Sequence, residues 1–295
     1  MSIVHPHTIQ LIECPRDAMQ GWPHAIATAD KIRYLNSLLK VGFHSLDFGS
    51  FVSPKAIPQM ADTAEVLEGL DQNLVAKNQL LAIVANLRGA QTAMNYKTIQ
   101  YIGFPFSLSP TFQLRNTNSS MEQSLETVRQ IQLLCQANQK ELVLYLSMGF
   151  GNPYGDPYDS KLLIQWTETM ASLGVQIISL ADTVGMASAQ AIHDALTSIV
   201  PRFSNTTIGV HLHSSANNFQ VKLQAALDGG CQRIDGAIKG IGGCPMAQDQ
   251  LVGNMDTLQI IPFLSANGMH LNINEQALME AISIADQIFD STSNN

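Results

Sequence analysis

The sequence predicts an α/β fold, a (β/α)8 TIM barrel forming one domain over residues 1–295, and three observations lead to this prediction. Short apolar runs alternate with amphipathic stretches along the whole chain, in eight strand–helix units roughly 30 residues apart. The 295 residues are 45% hydrophobic, enough for one large core, and no Pro-, Gly- or Ser-rich linker divides them. The turn Cys14-Pro15-Arg16-Asp17 lacks the GxGxxG glycines of an open dinucleotide-binding sheet, so a closed barrel is favoured.

Eight short apolar runs are predicted to be the strands of this barrel. They cover residues 7–14, 44–48, 80–85, 99–104, 141–146, 175–180, 207–212 and 233–238. Because parallel strands in such a barrel end on the same face, the residues that follow each run are expected to meet at one mouth.

The stretches between the strands are predicted to be amphipathic helices, at residues 30–41, 58–70, 89–96, 125–134, 160–173, 188–200 and 217–227. Thr28 or Asp30 can cap the first helix and Gly42 can end it. Ser119 and Glu122 form a capping-box pattern before the fourth helix. Residues from about 265 to 295 are predicted to form a small C-terminal helical extension.

Composition and charge restrict the partners of the protein. The net charge is −8 and basic residues form no cluster, so no nucleic-acid partner is expected. No apolar run reaches membrane-spanning length, and the N-terminal residues resemble neither a signal peptide nor a transit peptide. The four cysteines have no CxxC spacing, which is typical of a cytoplasmic protein with reduced thiols. The low charged fraction of 14% suits extensive buried surface, and we expect a homodimer.

Polar residues cluster where the predicted strands end, at the face on which barrel enzymes place their active sites. These residues are Arg16, Asp17, Asp47, Asn86, Asp182, Thr183, His211 and His213. A glycine-rich segment, residues 240–245, follows the eighth strand. Apolar periodicity alone would not require such a set, so we expect a site at this mouth.

His211 and His213 are the most informative pair. Residues two apart on a strand point the same way, and Ile208, Val210 and Leu212 take the opposite face. Both imidazoles are therefore expected to point into the mouth, where they can chelate a metal. An isolated pair of this kind is as often two hydrogen-bonded histidines, and it is the position at the barrel mouth that favours the metal.

Other candidates have equally plain alternatives. Asp17 is the natural carboxylate ligand, or a turn-forming residue. Arg16 can neutralise an oxyanion, or form an ion pair with Asp17 or Asp47. Cys244 can exchange a proton from a loop that closes over a ligand, or is simply a small loop residue. Asn254 can offer an amide oxygen to a cation, or belongs to an ordinary turn. Two histidines with oxygen ligands suit an open octahedral Mg²⁺ or Mn²⁺ site.

Four segments resemble the motifs of 3-hydroxy-3-methylglutaryl-CoA lyases, metal-dependent barrels of the DRE-TIM type. Residues 13–20 (ECPRDAMQ) are similar to the family's PRDGLQ turn, and residues 50–60 (SFVSPKAIPQM) to its SFVSPK..PQM segment. Residues 178–185 (ISLADTVG) resemble ISLGDTIG, and residues 240–245 (GIGGCP) resemble the mobile GLGGCP loop. The likeness runs from about residue 8 to about residue 265.

This resemblance implies a lyase that cleaves 3-hydroxy-3-methylglutaryl-CoA to acetyl-CoA and acetoacetate with a divalent metal. It implies that the metal ligands are Asp17, His211, His213 and Asn254. It implies that the catalytic residues are Arg16 at the enolate oxygen, Asp47, Asp182, His211 and the acid–base Cys244. It implies that the substrate pocket is lined by Gln20, Ser50, Asn86 and Thr183.

The sequence also departs from the family pattern. Asp47 replaces a glutamate, Phe48-Gly49 replaces two small residues, and Ser214-Ser215-Ala216-Asn217 replaces DTYG. The segment from Cys244 to Asn254 is one residue longer than usual, and Leu258 replaces a common acid. Two alternatives therefore stay open: a lyase or Claisen-type enzyme with another 3-hydroxyacyl substrate, and a barrel that only binds a metabolite or protein. Lys55, Arg88 and Lys239 are candidates to attract an anionic CoA thioester.

Overall fold

The structure is a computed structural model that describes residues 9–243 and 252–290. Its parallel strands pair in chain order, and the last pairs with the first, so the sheet closes into a barrel. The strands are β1 (Gln10–Glu13), β2 (Ser45–Ser50), β3 (Leu80–Ile83), β4 (Ile99–Ser107), β5 (Glu141–Ser147), β6 (Ile177–Ala181), β7 (Thr207–His211) and β8 (Arg233–Gly236). The predicted (β/α)8 barrel is therefore confirmed.

Helices follow the strands and surround the barrel. In the described residues they are α1 (Pro15–Gln20), α2 (Thr28–Leu38), α3 (Thr63–Gly69), α4 (Gln72–Val75), α5 (Leu87–Met94), α6 (Pro110–Thr117), α7 (Met121–Ala137), α8 (Ser160–Ser172), α9 (Ala189–Ile199), α10 (Phe219–Asp228), α11 (Thr257–Ala266) and α12 (Glu275–Ile288). Short 3₁₀ turns lie at Pro58–Met60, Val200–Arg202 and Ile238–Gly240. No helix among these residues has both the length and the apolarity that crossing a membrane requires.

Three short helices were not predicted from the sequence. α1 has six residues and α4 has four, too few for an apolar period to be visible. α1 and α6 both begin with a proline, Pro15 and Pro110, at a position where the missing N–H costs no hydrogen bond. The predicted helix over 58–70 is instead a 3₁₀ turn followed by α3.

Two predicted helix caps are wrong. α2 begins after Ala27 without a side-chain cap, and the Thr28 hydroxyl donates to an Asp62 carboxylate oxygen at 2.8 Å instead. The capping box of α7 uses Ser120 and Gln123, one residue beyond the predicted Ser119 and Glu122. The local pattern Ser-x-x-Glu/Gln fits both registers, so only the helix start decides between them.

The main hydrophobic core lies between the barrel and its helices. On β7, Ile208 and Val210 belong to this outer core and are fully buried, as the alternation of a strand requires. The inside of the barrel holds a smaller apolar cluster, made of Leu81, Tyr101, Val143, Tyr145 and Ile177. Buried polar side chains, including Arg233 and Ser179, accompany it. The interior of this barrel thus contains buried polar side chains beside the apolar cluster.

The C-terminal helix α12 packs against α2. The ring of Phe289 meets the ring of Tyr34 edge-on at 6.0 Å, and the Asn274 backbone N–H donates to the Val41 carbonyl at 2.8 Å. Gly42, at φ +98°, faces the Asn272 carbonyl so closely that a Cβ would lie 2.4 Å from its oxygen. A glycine is therefore needed where the C-terminal segment crosses the connection between α2 and β2.

A bulge in β2 sets the mouth of the barrel. The pairing of β2 with β3 shifts between Asp47 and Gly49, leaving Phe48 as the extra residue. Asp47 keeps the face that Leu81 takes on β3, inside the barrel, whereas Phe48 joins the outer core. The Asp47 carboxylate lies near the start of α1, where it contacts Arg16.

Candidate active site

The carboxyl ends of the strands surround a cavity of about 410 Å³. Its polar wall consists of Arg16, Asp17, Gln20, Asn116, Thr117, Tyr145, Ser147, Thr183, His211 and His213. Apolar side chains that include Val52, Ile57, Ile83, Pro105 and Phe112 line the rest. A concave, largely apolar pocket with a few convergent polar groups is the usual form of a small-molecule site.

Asp17 is the centre of the polar wall. One carboxylate oxygen accepts hydrogen bonds from Arg16 Nη1 at 3.0 Å and Gln20 Nε2 at 2.8 Å, and the other accepts from Asn254 Nδ2 at 2.7 Å. Burial by itself would raise the pKa of Asp17, but Arg16, the His211 imidazole and Asn254 together lower it below its usual value. Asp17 is therefore an ionised carboxylate at the cavity.

His211 and His213 present matching ring nitrogens to the cavity. Nδ1 of His211 lies 3.2 Å from an Asp235 oxygen, and Nδ1 of His213 lies 3.3 Å from the Gly253 carbonyl oxygen. Both Nδ1 atoms are thus engaged, which leaves both Nε2 atoms for a ligand. The ring centroids are 5.3 Å apart. The structure therefore places the two imidazoles side by side at the mouth.

The two histidines differ in their affinity for a proton. Burial, reinforced by the neighbouring His211, lowers the pKa of His213 to about 4, so its ring is neutral near pH 7. Burial also opposes the charged form of His211, but the hydrogen bond and charge of Asp235 raise the pKa of His211 above its usual value. Protonation near neutral pH would therefore begin at His211.

Asn254 reaches the site despite the longer preceding segment. Its Nδ2 donates to Asp17 and to the Ile241 carbonyl at 2.9 Å, while its buried Oδ1 has no hydrogen-bond partner in the described structure. Gly242, at φ +109°, allows this approach, because a Cβ there would lie 2.5 Å from Asn254 Nδ2. A buried amide oxygen without a partner is what a hard cation would use.

These donors fit a divalent cation of the Mg²⁺ or Mn²⁺ type. The set comprises one ionised carboxylate, two imidazole nitrogens and one amide oxygen. Among the described His, Cys, Asp and Glu side chains, the group whose ligand atoms all lie within 4.8 Å of one another is a softer one, formed by Cys14, His211 and Asp235. Burial raises the pKa of the Cys14 thiol far above its usual value, and Arg233 lies 3.5 Å from Asp235. Both facts disfavour a cation at that second position.

Arg16 and Asp47 form a tight buried pair beside Asp17. Arg16 Nη2 lies 2.5 Å from Asp47 Oδ2, and Nε lies 3.2 and 3.1 Å from its two oxygens. Burial raises the pKa of Asp47 in spite of this contact, with further contributions from the charges of Asp17 and Asp235. Asp47 does not line the cavity, whereas Arg16 does.

Several expected site residues lie elsewhere. The Asp182 carboxylate accepts hydrogen bonds from Lys222 Nζ at 2.7 Å and from the Ala187 backbone N–H at 2.9 Å, and it does not line the cavity. Ser50 and Asn86 line a second cavity of about 450 Å³, which shares Val52 with the first. Cys244 lies outside the described residues.

Thr183 and Gln20 do line the main cavity. The Thr183 hydroxyl also accepts a hydrogen bond from the Met148 backbone N–H at 2.9 Å, which fixes the loop after β5 to the loop after β6. Of the four expected pocket residues, the structure thus brings two to the main cavity and two to its neighbour.

Sequence reasoning missed three charged residues that support the site. Asp235 holds His211, Arg233 approaches Asp235, and Lys222 joins Asp182 to the His213 carbonyl oxygen, 2.7 Å from its Nζ. Arg233 and Asp235 are two apart on β8, so they share a face of the strand. That alternation was the one sequence signal that could have revealed this pair.

Most departures from the family pattern lie away from the cavity. Phe48 is buried in the outer core, and the backbone N–H of Ser214 donates to the Gly253 carbonyl at 3.0 Å. Neither residue lines the cavity, and neither do residues 215–217 or Leu258. The departures among the described residues therefore leave the walls of this cavity largely unchanged, with Asp47 standing directly behind Arg16.

The chain is similar to known proteins over most of its length. The family model described as HMGL-like matches residues 9–284. The chain is 30% identical over 293 residues to the mitochondrial hydroxymethylglutaryl-CoA lyase of Bos taurus, covering 98% of this chain and 88% of that protein. The crystal structure of the Bacillus subtilis HMG-CoA lyase is similar with a TM-score of 0.89 at 30% identity, covering 97% and 95% of the two chains.

A further similar structure contains ligands. It is an HMG-CoA lyase from Acinetobacter baumannii in complex with coenzyme A and 3-methylmalate, with a TM-score of 0.87 at 26% identity. The match covers 98% of this chain and 93% of that chain.

Proposed function

This chain belongs to the HMGL-like family of carbon–carbon lyases, and from this membership we propose that it cleaves 3-hydroxy-3-methylglutaryl-CoA to acetyl-CoA and acetoacetate. The observation that carries the proposal is that Asp17, His211 and His213 line one cavity beside Arg16, with Asn254 hydrogen-bonded to Asp17. These residues come from distant parts of the chain, and a fold alone would not require them to converge.

A divalent cation, held by Asp17, His211, His213 and Asn254, would supply the Lewis acidity that makes the tertiary hydroxyl of the substrate acidic. The oxygen-rich donor set supports Mg²⁺ or Mn²⁺ rather than a closed zinc site.

Arg16 is suited to hold the oxygen on which negative charge develops. A guanidinium has five N–H groups, and the contacts to Asp47 and Asp17 use one on each of its three nitrogens. Two N–H groups remain, and Arg16 lines the cavity. They can donate to the thioester oxygen as it becomes an enolate oxygen, with the orientation already fixed by Asp47.

Proton transfer needs a base for the hydroxyl and an acid for the enolate carbon. His211 contributes to the first of these steps as a ligand, because its Nε2 is the atom offered to the cation. That cation would lower the pKa of the hydroxyl, so that a nearby base can remove its proton. The C–C bond then breaks, its electrons forming the enolate while the hydroxyl carbon becomes the ketone of acetoacetate. We assign the protonation of the enolate carbon to Cys244, on the basis of the family resemblance.

Asp182 and Asp47 are proposed to act through their neighbours. Asp182 holds Lys222, whose ammonium group also binds the carbonyl oxygen of His213. Asp47 holds Arg16. Both carboxylates therefore position groups that line the cavity, and we place them in the catalytic machinery in that sense.

The CoA arm is proposed to lie along the second cavity. Arg88, Ser50 and Asn86 line it, and the buried Ser50 hydroxyl has no partner in the described structure. Arg88 supplies a positive charge close to the main cavity, which an anionic CoA thioester needs on a protein of net charge −8. Lys239 is less suitable, because it is paired with Asp286.

We extend the proposal to the setting of the enzyme. The free thiols of Cys14, Cys135 and Cys231 support a reducing compartment such as the cytoplasm. The low charged fraction supports a homodimer. Size-exclusion chromatography with light scattering would test the second of these points.

One assay decides the function. The purified protein is incubated with 3-hydroxy-3-methylglutaryl-CoA and Mg²⁺ or Mn²⁺, and acetoacetate and acetyl-CoA are measured. We expect equal amounts of both products, and none from Asp17→Ala. Absence of product with every divalent metal would overturn the proposal. A panel of other branched 3-hydroxyacyl-CoA thioesters tests the second candidate, a related substrate, which the shortened Asp47 favours.

A further inference from the structure

Arg233 is a fully buried cation inside the barrel. It lies on β8, where it pairs in register with Gln10 of β1 and Gly209 of β7, and its relative exposure is 0%. A Cβ on Gly209 would lie 2.8 Å from the Arg233 Cβ and 3.1 Å from its Cγ. The glycine therefore leaves the space that the arginine side chain occupies.

The partners of Arg233 are few. Nε lies 3.5 Å from Asp235 Oδ1, and Nη2 donates to the Tyr145 hydroxyl at 3.4 Å. In the described structure Nε and Nη1 have no hydrogen bond of normal length. Burying a guanidinium with so few hydrogen bonds destabilises the folded state. Its interaction with the buried Asp235 carboxylate is the contact that offsets this loss.

Asp235 connects this buried charge to the mouth. Its side chain is fully buried, with Oδ1 towards Arg233 and Oδ2 3.2 Å from Nδ1 of His211. An ionised carboxylate can only accept, so His211 must carry its proton on Nδ1. The lone pair of the ring then lies on Nε2, the atom left for a cation.

We propose that Arg233 is a positioning residue, which holds the Asp235 carboxylate so that His211 presents an unprotonated Nε2 to the metal site. The inference rests on the proposed function only in taking His211 as a ligand. It assigns a role in the metal site to a residue inside the barrel that does not line the cavity.

The test measures metal binding without substrate. Mn²⁺ is titrated into chelator-treated protein, and free Mn²⁺ is followed by electron paramagnetic resonance. We expect Arg233→Leu and Asp235→Asn each to weaken Mn²⁺ binding about ten- to a hundred-fold, the usual effect of losing an outer partner of a metal-bound histidine. The double variant should bind about as weakly as either single one, because both act through one contact. Arg233→Lys keeps the charge and should restore most of the affinity.

A second readout reports the ring directly. Nitrogen-15 NMR of the histidine rings in the metal-free protein, recorded at a pH where His211 is neutral, should show the Nδ1–H tautomer of His211 in the wild type. In Arg233→Leu it should show a mixture of tautomers. Lys140→Met is the control, because it removes another buried cation, one whose contacts are the carbonyl oxygens of Tyr96 and Ile99. It should leave both readouts unchanged whatever it does to stability.

The outcomes separate the two proposals. If folded Arg233→Leu binds Mn²⁺ within twofold of the wild type and keeps the His211 tautomer, the role of Arg233 is overturned. If Arg233→Leu does not fold, the other two variants decide. Normal Mn²⁺ binding by Asp235→Asn would contradict the proposal, and so would complete loss of Mn²⁺ binding in Arg233→Lys. If the wild type binds no Mn²⁺, the proposed metal site fails, and the NMR comparison still decides the role of Arg233.

Discussion

Glu13 offers a prediction in which the structure gives both the sign and the magnitude. This residue ends β1 and is fully buried, with Oε1 accepting from the Ile238 backbone N–H at 2.8 Å and Oε2 accepting from the Thr257 hydroxyl at 2.5 Å. Burial raises the pKa of Glu13 to about 8, against 4.5 for a free glutamate. Glu13 therefore stays protonated in the folded protein at pH values where the unfolded chain has ionised it.

The consequence is a stability that falls as pH rises. Between pH 4.5 and pH 8 the folded state holds a proton that the unfolded state has lost, so the free energy of unfolding decreases by about 1.4 kcal/mol per pH unit. From pH 5 to pH 8 the titration of Glu13 lowers the free energy of unfolding by roughly 3 to 4 kcal/mol, after allowance for partial ionisation at both ends. Glu13→Gln removes this titration while keeping an acceptor for Ile238.

The assay is urea unfolding of the wild type and Glu13→Gln at pH 5, 6.5 and 8. All other groups titrate in both proteins, so the difference between their free energies of unfolding isolates Glu13. From pH 5 to pH 8 this difference should shift in favour of the glutamine variant by roughly 3 to 4 kcal/mol. Glu65→Gln, at an exposed glutamate of α3, should show no such trend. An equal pH dependence in wild type and Glu13→Gln would refute the reasoning.

Three further predictions concern the site. Arg16→Lys keeps the charge but loses the planar fork, so kcat should fall about 10²-fold while circular dichroism stays unchanged; an unaltered kcat would contradict the role of Arg16. Mn²⁺ affinity, measured by titration from pH 8 to pH 5, should weaken as pH falls, because protons compete with Mn²⁺ for His211, whose pKa is raised. His213, with a pKa of about 4, stays neutral over this range. An affinity independent of pH would exclude His211 as a ligand. Arg88→Ala should raise KM for the CoA thioester several-fold with kcat unchanged. The control Arg129→Ala, at an exposed residue of α7, should leave KM unchanged. Equal KM values in wild type and Arg88→Ala would exclude the second cavity as the CoA site.

The fold could be predicted from the sequence because the barrel repeats one simple unit. Each strand is a short apolar run and each following helix has an apolar stripe, so eight repetitions outweigh errors at single boundaries. The errors lie where several local solutions have similar energies. The start of α7 is an example, since Ser119 and Ser120 both precede a suitable capping partner and only tertiary packing chooses between them.

The site was only partly predictable from the sequence, because the partners of its charged side chains come from distant parts of the chain. His211 and His213 follow from strand alternation and Asp17 from its place after β1. Asn254 could also belong to an ordinary turn, and the family resemblance indicated the ligand role. Asp182 ends a strand as a catalytic acid would, yet its partner Lys222 comes from α10, 40 residues later in the chain. No local pattern reveals such a pairing.

The charges at the mouth explain why the two interpretations of Arg16 are compatible. Among the described residues, four buried acids share three buried cations here, in the pairs Arg16–Asp17, Arg16–Asp47, Lys222–Asp182 and Arg233–Asp235. Arg16 therefore serves two carboxylates, and its closer contact is with Asp47, at 2.5 Å against 3.0 Å for Asp17. Asp17 is left as the one acid without a cation of its own, and it faces the cavity. Under the proposed function, a divalent cation there would balance the charge of Asp17, and neutral imidazole ligands would add no further negative charge. The ion pair with Asp47 would then orient Arg16, while Asp17 would serve the metal.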